Sequence, residues 1–298
     1  MNTNIHRLYN YVLGLIFVLG LTCSYQGQQA QPKIALPTTV ENHKLNSKLM
    51  AREMPYRVIL PINYKLEKAQ RYPVLYLLHG LTGHFDNWTD KSKLAEYAAK
   101  YNYVIVTPEG NNGWYSDSAT VPTDRYETYI TQELIPEIDK NFRTVADRNH
   151  RVVAGLSMGG YGSIKFGLKN AEMFALVGSF SGALGAASFT DKILGNSWKV
   201  LTDSIMSVYA MEDSPTRKQN DIFRIVREMP ADKVKTLPFI YLDCGTEDGL
   251  INSNRDFVNL LLEKKVKHEF RQLPGAHDWK FWDAQVQEFL ELSEKFIK

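Results

Sequence analysis

The feature that most constrains this chain is an alternation that begins near Met50. An apolar, β-branched run gives way to a Gly-, Asp- or Asn-rich turn, then to a helical stretch, and the pattern repeats to the end. Met54–Leu60, Val74–Leu78, Tyr103–Val106, Arg151–Ala154, Ala175–Phe180, Phe239–Leu242 and His268–Leu273 read as strands. Lys91–Lys100, Tyr126–Asn141 (despite Pro136), Met158–Asn170, Ser253–Lys264 and Trp279–Ile297 read as helices. Strands alternating with helices predict an α/β fold with a mostly parallel sheet and helices on both faces.

In such sheets function collects in loops at the carboxyl ends of the strands. Those loops here are HGLTGHFDNW, PEGNNGWY, GLSMG, SGALG, CGTEDG and PGAHDW, which hold Trp88, Trp114 and Trp279. Residues 184–232 interrupt the alternation and carry Trp198, Tyr209 and Met211. Two readings of this insertion stand: a cap over the site, or a plain helical insertion that touches no substrate.

Composition narrows the classes. With 298 residues, 44% hydrophobic and 23% charged, the chain is globular rather than disordered or fibrous. Its 35 basic and 33 acidic residues leave a net charge of +2, too balanced to point to nucleic acid, and no nucleic-acid partner is expected. Two cysteines make neither a disulfide framework nor a four-cysteine zinc site.

The N-terminus reads as an address. Val12–Leu21 is an uncharged apolar run of ten residues behind Arg7, the length of a signal-peptide core and short of the roughly 20 residues of a membrane span. Residues 1–23 are therefore expected to be a signal peptide and the protein to be exported, with an uncleaved anchor as the alternative. Cys23 closes the run. Either it carries a lipid, the one route by which membrane contact is expected, or cleavage falls near Ser24 or Ala30. Residues 24–49 are expected to be a polar tether and 50–298 the folded domain. Cys244 is expected to be buried and inert.

One constellation carries chemistry. Gly155-Leu156-Ser157-Met158-Gly159 matches G-x-S-x-G, after a strand and opening a helix. Such a turn lifts the serine hydroxyl above the sheet at the positive end of a helix, and glycines let the backbone pass. A serine nucleophile needs a base, and the base needs an orienting acid. His277 and Asp248 lie in the loops after the last two strands. The order Ser157, Asp248, His277 is that of serine hydrolases built on such sheets. Glu247 and Asp243 compete as the acid, with Asp243 at a strand end read as a loop tether. His79 is read as a structural or oxyanion-loop residue, and Asp278 as a helix cap. His43, His84, His150 and His268 are given surface or loop roles. An oxyanion hole needs two backbone N–H donors. Met158 is expected to supply one, and the His79–Gly83 loop the other through Leu81. Trp114 and Tyr115 are expected to form a stacking surface for substrate, or else to pack under their loop. No H-E-x-x-H, paired cysteines, dinucleotide fingerprint or P-loop is present, so neither metal nor cofactor is expected.

At YPVLYLLHGLTG, NGWYSDS, YETYITQELIPEID, RVVAGLSMGGYG, LDCGTED and GAHDW the chain resembles the esterase D-like "putative esterase" family, over roughly Tyr56–Ile297. That family includes tributyrin, feruloyl and acetylxylan esterases, formylglutathione hydrolases and mycolyltransferases. The resemblance implies an α/β-hydrolase fold and a cofactor-free serine carboxylesterase. By matching position it implies Ser157, Asp248 and His277 as the triad and Leu81 and Met158 at the oxyanion hole. The export signal makes a cytosolic formylglutathione role unexpected. It favours a secreted esterase acting on a small ester or an acylated plant polysaccharide. Acyl transfer by the same acyl-enzyme, and a non-catalytic binding protein on the same fold, are the alternatives.

Overall fold

In a computed structural model of the chain, residues 38–189 and 198–297 are described, within a compact unit spanning Leu36–Lys298. The expectations for the signal peptide, for Cys23 and for residues 24–37 lie outside the described residues.

Eight strands form one sheet: β1 Thr39–Ser47, β2 Arg52–Leu60, β3 Val74–Leu78, β4 Val104–Pro108, β5 Arg151–Leu156, β6 Leu176–Phe180, β7 Phe239–Gly245 and β8 His268–Leu273. Their order is β1-β2-β4-β3-β5-β6-β7-β8. From β4 to β8 every neighbouring pair is parallel, whereas β1–β2 and β2–β4 are antiparallel. The inner strands β3 to β6 are buried along their whole length, as strands covered on both faces must be.

The helices are α1 Asn87–Asp90, α2 Leu94–Ala98, α3 Tyr126–Tyr129, α4 Ile135–Asn141, α5 Met158–Lys169, α6 Lys199–Tyr209, α7 Pro215–Asn220, α8 Ile222–Glu228, α9 Ala231–Val234, α10 Ile251–Glu263 and α11 Trp279–Ser293. A π-helical turn, Ile130–Leu134, joins α3 to α4. Pro136 follows directly on this turn, where the Ile135 N–H reaches back five residues to the Ile130 carbonyl; the wider winding accommodates a residue without an N–H, so the expected helix runs through it.

Two apolar cores cover the sheet. On one face Tyr56, Val58, Tyr76 and Leu78 pack with Ile130, Tyr161, Phe166, Ile222 and Phe257. On the other, Leu75, Leu77, Ile105 and Phe180 pack with Trp88, Leu94, Trp282, Val286 and Phe289. This is the mostly parallel sheet with helices on both faces that the alternation predicts.

One boundary is corrected. Thr39–Ser47 lies in the segment read as a tether, yet it pairs with β2 along all of its residues, from Thr39↔Leu60 to Ser47↔Arg52. Glu133 of the π-helical turn accepts hydrogen bonds from Ser47 Oγ and from the Lys48 and Leu49 N–H groups. The folded unit therefore begins before Met50. The segment reads as polar because an edge strand needs only one half-buried face; charged Glu41 and Lys44 sit in it.

Candidate active site

The strand-to-helix turn after β5 puts Ser157 at φ 53° and ψ −113°, in the left-handed region that side chains other than glycine rarely adopt. The neighbourhood holds it there. Ser157 N–H donates to the Phe180 carbonyl, and the Ser157 carbonyl accepts from Tyr161 and Ala183. The first turn of α5 lies against the end of β3. A Cβ on Gly159 would stand 2.6 Å from the Leu78 carbonyl oxygen and 2.7 Å from that of His79, so only glycine allows the approach.

Three loops converge at this turn. His277 follows β8, and its Nε2 stands 3.0 Å from Ser157 Oγ. Asp248 follows β7, and its Oδ2 stands 2.7 Å from His277 Nδ1. The other Asp248 oxygen accepts the Leu250 N–H at 2.8 Å. Burial raises the Asp248 pKa, but the bond to His277 and the Leu250 N–H outweigh it, and the carboxyl titrates below the ordinary aspartate range. Trp282 stands edge-on to the imidazole at 4.9 Å between centroids. The chain Ser157–His277–Asp248 thus has the geometry of a nucleophile, a base and an orienting carboxylate.

The rival residues fall elsewhere. Glu247 is exposed, and its backbone N–H ties to the Gly275 carbonyl. Asp243 is fully buried, and burial lifts its pKa well above the usual carboxylate range. It tethers a loop through its backbone, accepting the Ser181 N–H. Asp278 caps α11 by accepting the Phe281 N–H. Cys244 is buried, and burial pushes its thiol up to about 12, so it is inert at neutral pH.

Leu81 and Met158 flank the serine from two sides. Met158 is the first residue of α5, where helix geometry leaves the N–H without an intrahelical acceptor. Leu81 lines the cleft above Ser157, in a loop turned by Thr82 at φ 61°.

Trp114 and Tyr115 are a correction. Both adopt φ 50°, which folds their rings under the loop rather than toward the cleft; Trp114 is 1% exposed. Trp114 Nε1 donates to Ser204 on α6, and Tyr115 OH donates to the His79 carbonyl. The Tyr115 ring packs in the space left by Gly162 of α5. They form no stacking surface.

The cleft at Ser157 has a volume of about 210 Å³, and its aromatic wall is Trp198, Trp279 and Trp282. Lys91 closes one side, its ammonium 5.7 Å from the Trp279 ring centroid. Sequence reasoning placed Trp279 in the right loop without giving it this role. It put Trp198 in the insertion without fixing whether it reaches the site. Trp198, 56% exposed just before α6, does reach it, so the insertion contributes to the cleft. A larger hollow of about 770 Å³, bounded by Arg148, Lys169 and Lys233, lies at the other end of the sheet and holds none of these groups.

A family model described as "Putative esterase" matches residues 47–291. The chain belongs to this esterase family. It is 28% identical over 261 residues to an acetyl esterase of Caldicellulosiruptor saccharolyticus, covering 84% of this chain and 96% of that one. An esterase of Mycobacterium tuberculosis is 32% identical over 238 residues, 74% of this chain, which spans about half (51%) of that longer protein. Among solved structures, a ferulic acid esterase superposes with a TM-score of 0.74 at 27% identity, over 88% of this chain and 99% of that one. The fold is that of the α/β-hydrolases, and the protein is a carboxylic-ester hydrolase.

Proposed function

We propose that this esterase works through a Ser157 acyl-enzyme. Support comes from one observation above all: three side chains from three separate loops meet as Ser157 Oγ–His277 Nε2 at 3.0 Å and His277 Nδ1–Asp248 at 2.7 Å. His277 Nε2 takes the hydroxyl proton as Ser157 Oγ bonds to the ester carbonyl carbon. Asp248 holds the proton on Nδ1, so the lone pair faces the serine, and its charge stabilises the imidazolium that forms. The carbonyl oxygen gains the electron pair and is received by the N–H groups of Leu81 and Met158. Collapse breaks the ester C–O bond, and His277 returns the proton to the departing alcohol. A water, deprotonated by His277 in turn, then releases the acid and restores the serine.

The substrate class we propose is a short acyl ester, acetyl before feruloyl. The cleft of about 210 Å³ is small beside the roughly 300–1,000 Å³ of most ligand pockets. Its tryptophan wall suits an acylated sugar or an aromatic acid on the alcohol or acyl side. Relatives named as acetyl and ferulic acid esterases support both candidates. Export is part of the same proposal, resting on Val12–Leu21; cell fractionation that finds the protein in the cytosol would overturn it.

The deciding comparison is wild type against Ser157→Ala on p-nitrophenyl acetate, longer p-nitrophenyl esters and methyl ferulate. The variant is expected to lose about 10⁵–10⁶ in kcat, the usual cost of removing a serine nucleophile. Activity surviving in the variant would remove Ser157 from the role. A methyl ferulate rate above the acetate rate would reverse the substrate order.

A further inference from the structure

The loop His79–Phe85, which presents Leu81, is held mainly from outside. Within it, Gly83 N–H donates to the Gly80 carbonyl, and His79 Nδ1 lies 2.8 Å from that same oxygen. The His84 carbonyl accepts the Asn87 N–H of α1, and three further fastenings run to the loop after β4. Tyr115 OH donates to the His79 carbonyl at 3.0 Å, Thr82 N–H to Asn112 Oδ1 at 2.8 Å, and Gly110 N–H to His79 Nε2 at 2.9 Å.

Glu109 is where these two loops join. Its side chain is buried yet lies outside the residues that line the cleft. One oxygen accepts the Asn111 N–H at 2.6 Å and stands 3.2 Å from His79 Nε2. The other accepts the Phe85 N–H at 3.3 Å and stands 3.2 Å from His84 Nδ1. So a single carboxylate grips its own loop and the far end of the Leu81 loop, at His84 and Phe85, while His79, whose Nε2 takes the Gly110 N–H, fastens the near end. Burial works against its ionisation, but His79, the Asn111 N–H and His84 outweigh burial, and the group titrates at about 2. An ionised carboxylate is acceptor-only on both oxygens, which is what two converging N–H groups and the His84 imidazole require; glutamine offers one acceptor oxygen and turns an NH₂ toward the rest.

We propose that Glu109 is a positioning residue for ester hydrolysis: its carboxylate fixes the His79–Phe85 loop so that the Leu81 N–H meets the oxyanion of the tetrahedral intermediate. The proposal rests on the assignment of Leu81 as a donor and of Ser157 as the nucleophile. It goes beyond them by placing the control of the oxyanion hole at a group that never touches substrate. A donor held slightly out of place loses transition-state stabilisation while leaving ground-state binding almost unchanged.

The test is Glu109→Ala and Glu109→Gln, assayed on p-nitrophenyl acetate beside Ser157→Ala, with inhibition by a phenylboronic acid as the second readout. A boronate bound to the serine is tetrahedral and places an oxygen in the oxyanion hole, so it reports on the donors directly. Glu109→Ala is expected to lower kcat by about 10², the low end of the cost of one lost donor, with KM within about threefold. Glu109→Gln is expected to lie between it and wild type. In both, the boronate inhibition constant should rise in step with the loss in kcat/KM. A kcat within twofold of wild type in both, or a fall in kcat with unchanged boronate affinity, would overturn the proposal. Should Glu109→Ala not fold, Glu109→Gln and His84→Ala carry the test, since the His84 side chain is largely exposed; wild-type kcat in both would again overturn it. An active Ser157→Ala would defeat the mechanism on which the proposal stands. An inactive Ser157→Ala beside fully active Glu109 variants would defeat the Glu109 proposal alone.

Discussion

A carboxylate as buried as Asp248 keeps its charge only because its lone pairs are taken. His277 and the Leu250 N–H take them, and the folded pKa drops below the aspartate value despite burial. Glu109 behaves alike, falling from 4.5 to about 2. For both groups the folded pKa lies below the unfolded one. Their stabilisation is therefore complete above about pH 4.5 and is lost as pH falls through the folded values. Denaturant stability is expected to fall in wild type as pH drops below about 4.5, the Glu109 part being lost between about pH 4.5 and 2 at up to about 1.4 kcal/mol for every tenfold rise in proton concentration. Asp248→Asn and Glu109→Gln should each flatten that slope, as urea titrations at pH 6, 4 and 3 would show; an unflattened slope would mean these carboxylates are not the groups being protonated. Asp248→Asn should also lower kcat by about 10⁴, because an amide in that place favours the wrong imidazole tautomer. At this scale the chain order and loop positions made Asp248 and His277 legible. The rings of Trp114 and Tyr115 were not, because the sign of φ decides which way a loop residue faces, and both sit in the left-handed region without being glycine.

Among the elements, α5 shows how a helix can be shaped by what it must touch. Every residue from Met158 to Leu168 is buried, so the helix has no solvent face. Its glycines set how close it comes: Gly159 to the end of β3, and Gly162 to the Tyr115 ring. Gly159→Ala would push a Cβ into backbone carbonyls that cannot rotate away. It is expected to destabilise by about 1–3 kcal/mol and to lower kcat by moving Ser157 and His79 apart; an unchanged Tm and kcat would show that α5 can shift freely. Further along, Lys165 is buried against Glu127 at 2.9 Å and donates to the Tyr115 carbonyl at 2.7 Å and to Ser116 Oγ. Burial, only partly offset by Glu127, lowers its pKa to about 8. Lys165→Met leaves Glu127 buried with Lys169 as its remaining cation. The loss should be about 3 kcal/mol, the low end for breaking a buried pair, measured by urea unfolding. A Gly- and Ala-bearing helix was legible in the sequence. The burial of Lys165 was not, since nothing in helical spacing marks which lysine meets a buried glutamate on a distant helix.

For the molecule as a whole, the sheet needs its first strand more than its composition suggests. The parallel strands read clearly because full burial demands continuous apolar runs such as VLYLL. β1 did not, because TVENHKLNS spends alternate residues on solvent and has few apolar ones. Yet β2, which it covers, ends in Val58, Ile59 and Leu60, all buried. Without β1 that strand becomes a long apolar edge with unpaired N–H and C=O groups, a template for another chain. The polarity of β1 is thus the property that suits it to the edge, where Lys44 faces outward and pairs with Glu53 of β2. Two shortened proteins separate the contribution of β1 from that of the residues before it. One beginning at Thr38 keeps the strand and its ties to Glu133, and should match the full chain in Tm and in monomer content by light scattering. One beginning at Ala51 removes it, and should show a lower Tm and concentration-dependent association. Its residual monomer should retain Ser157 turnover, since β1 lies four positions from β5 in the sheet order. A monomeric, fully stable protein beginning at Ala51 would mean that β2 closes the sheet by itself and that the boundary near Met50 is the functional one.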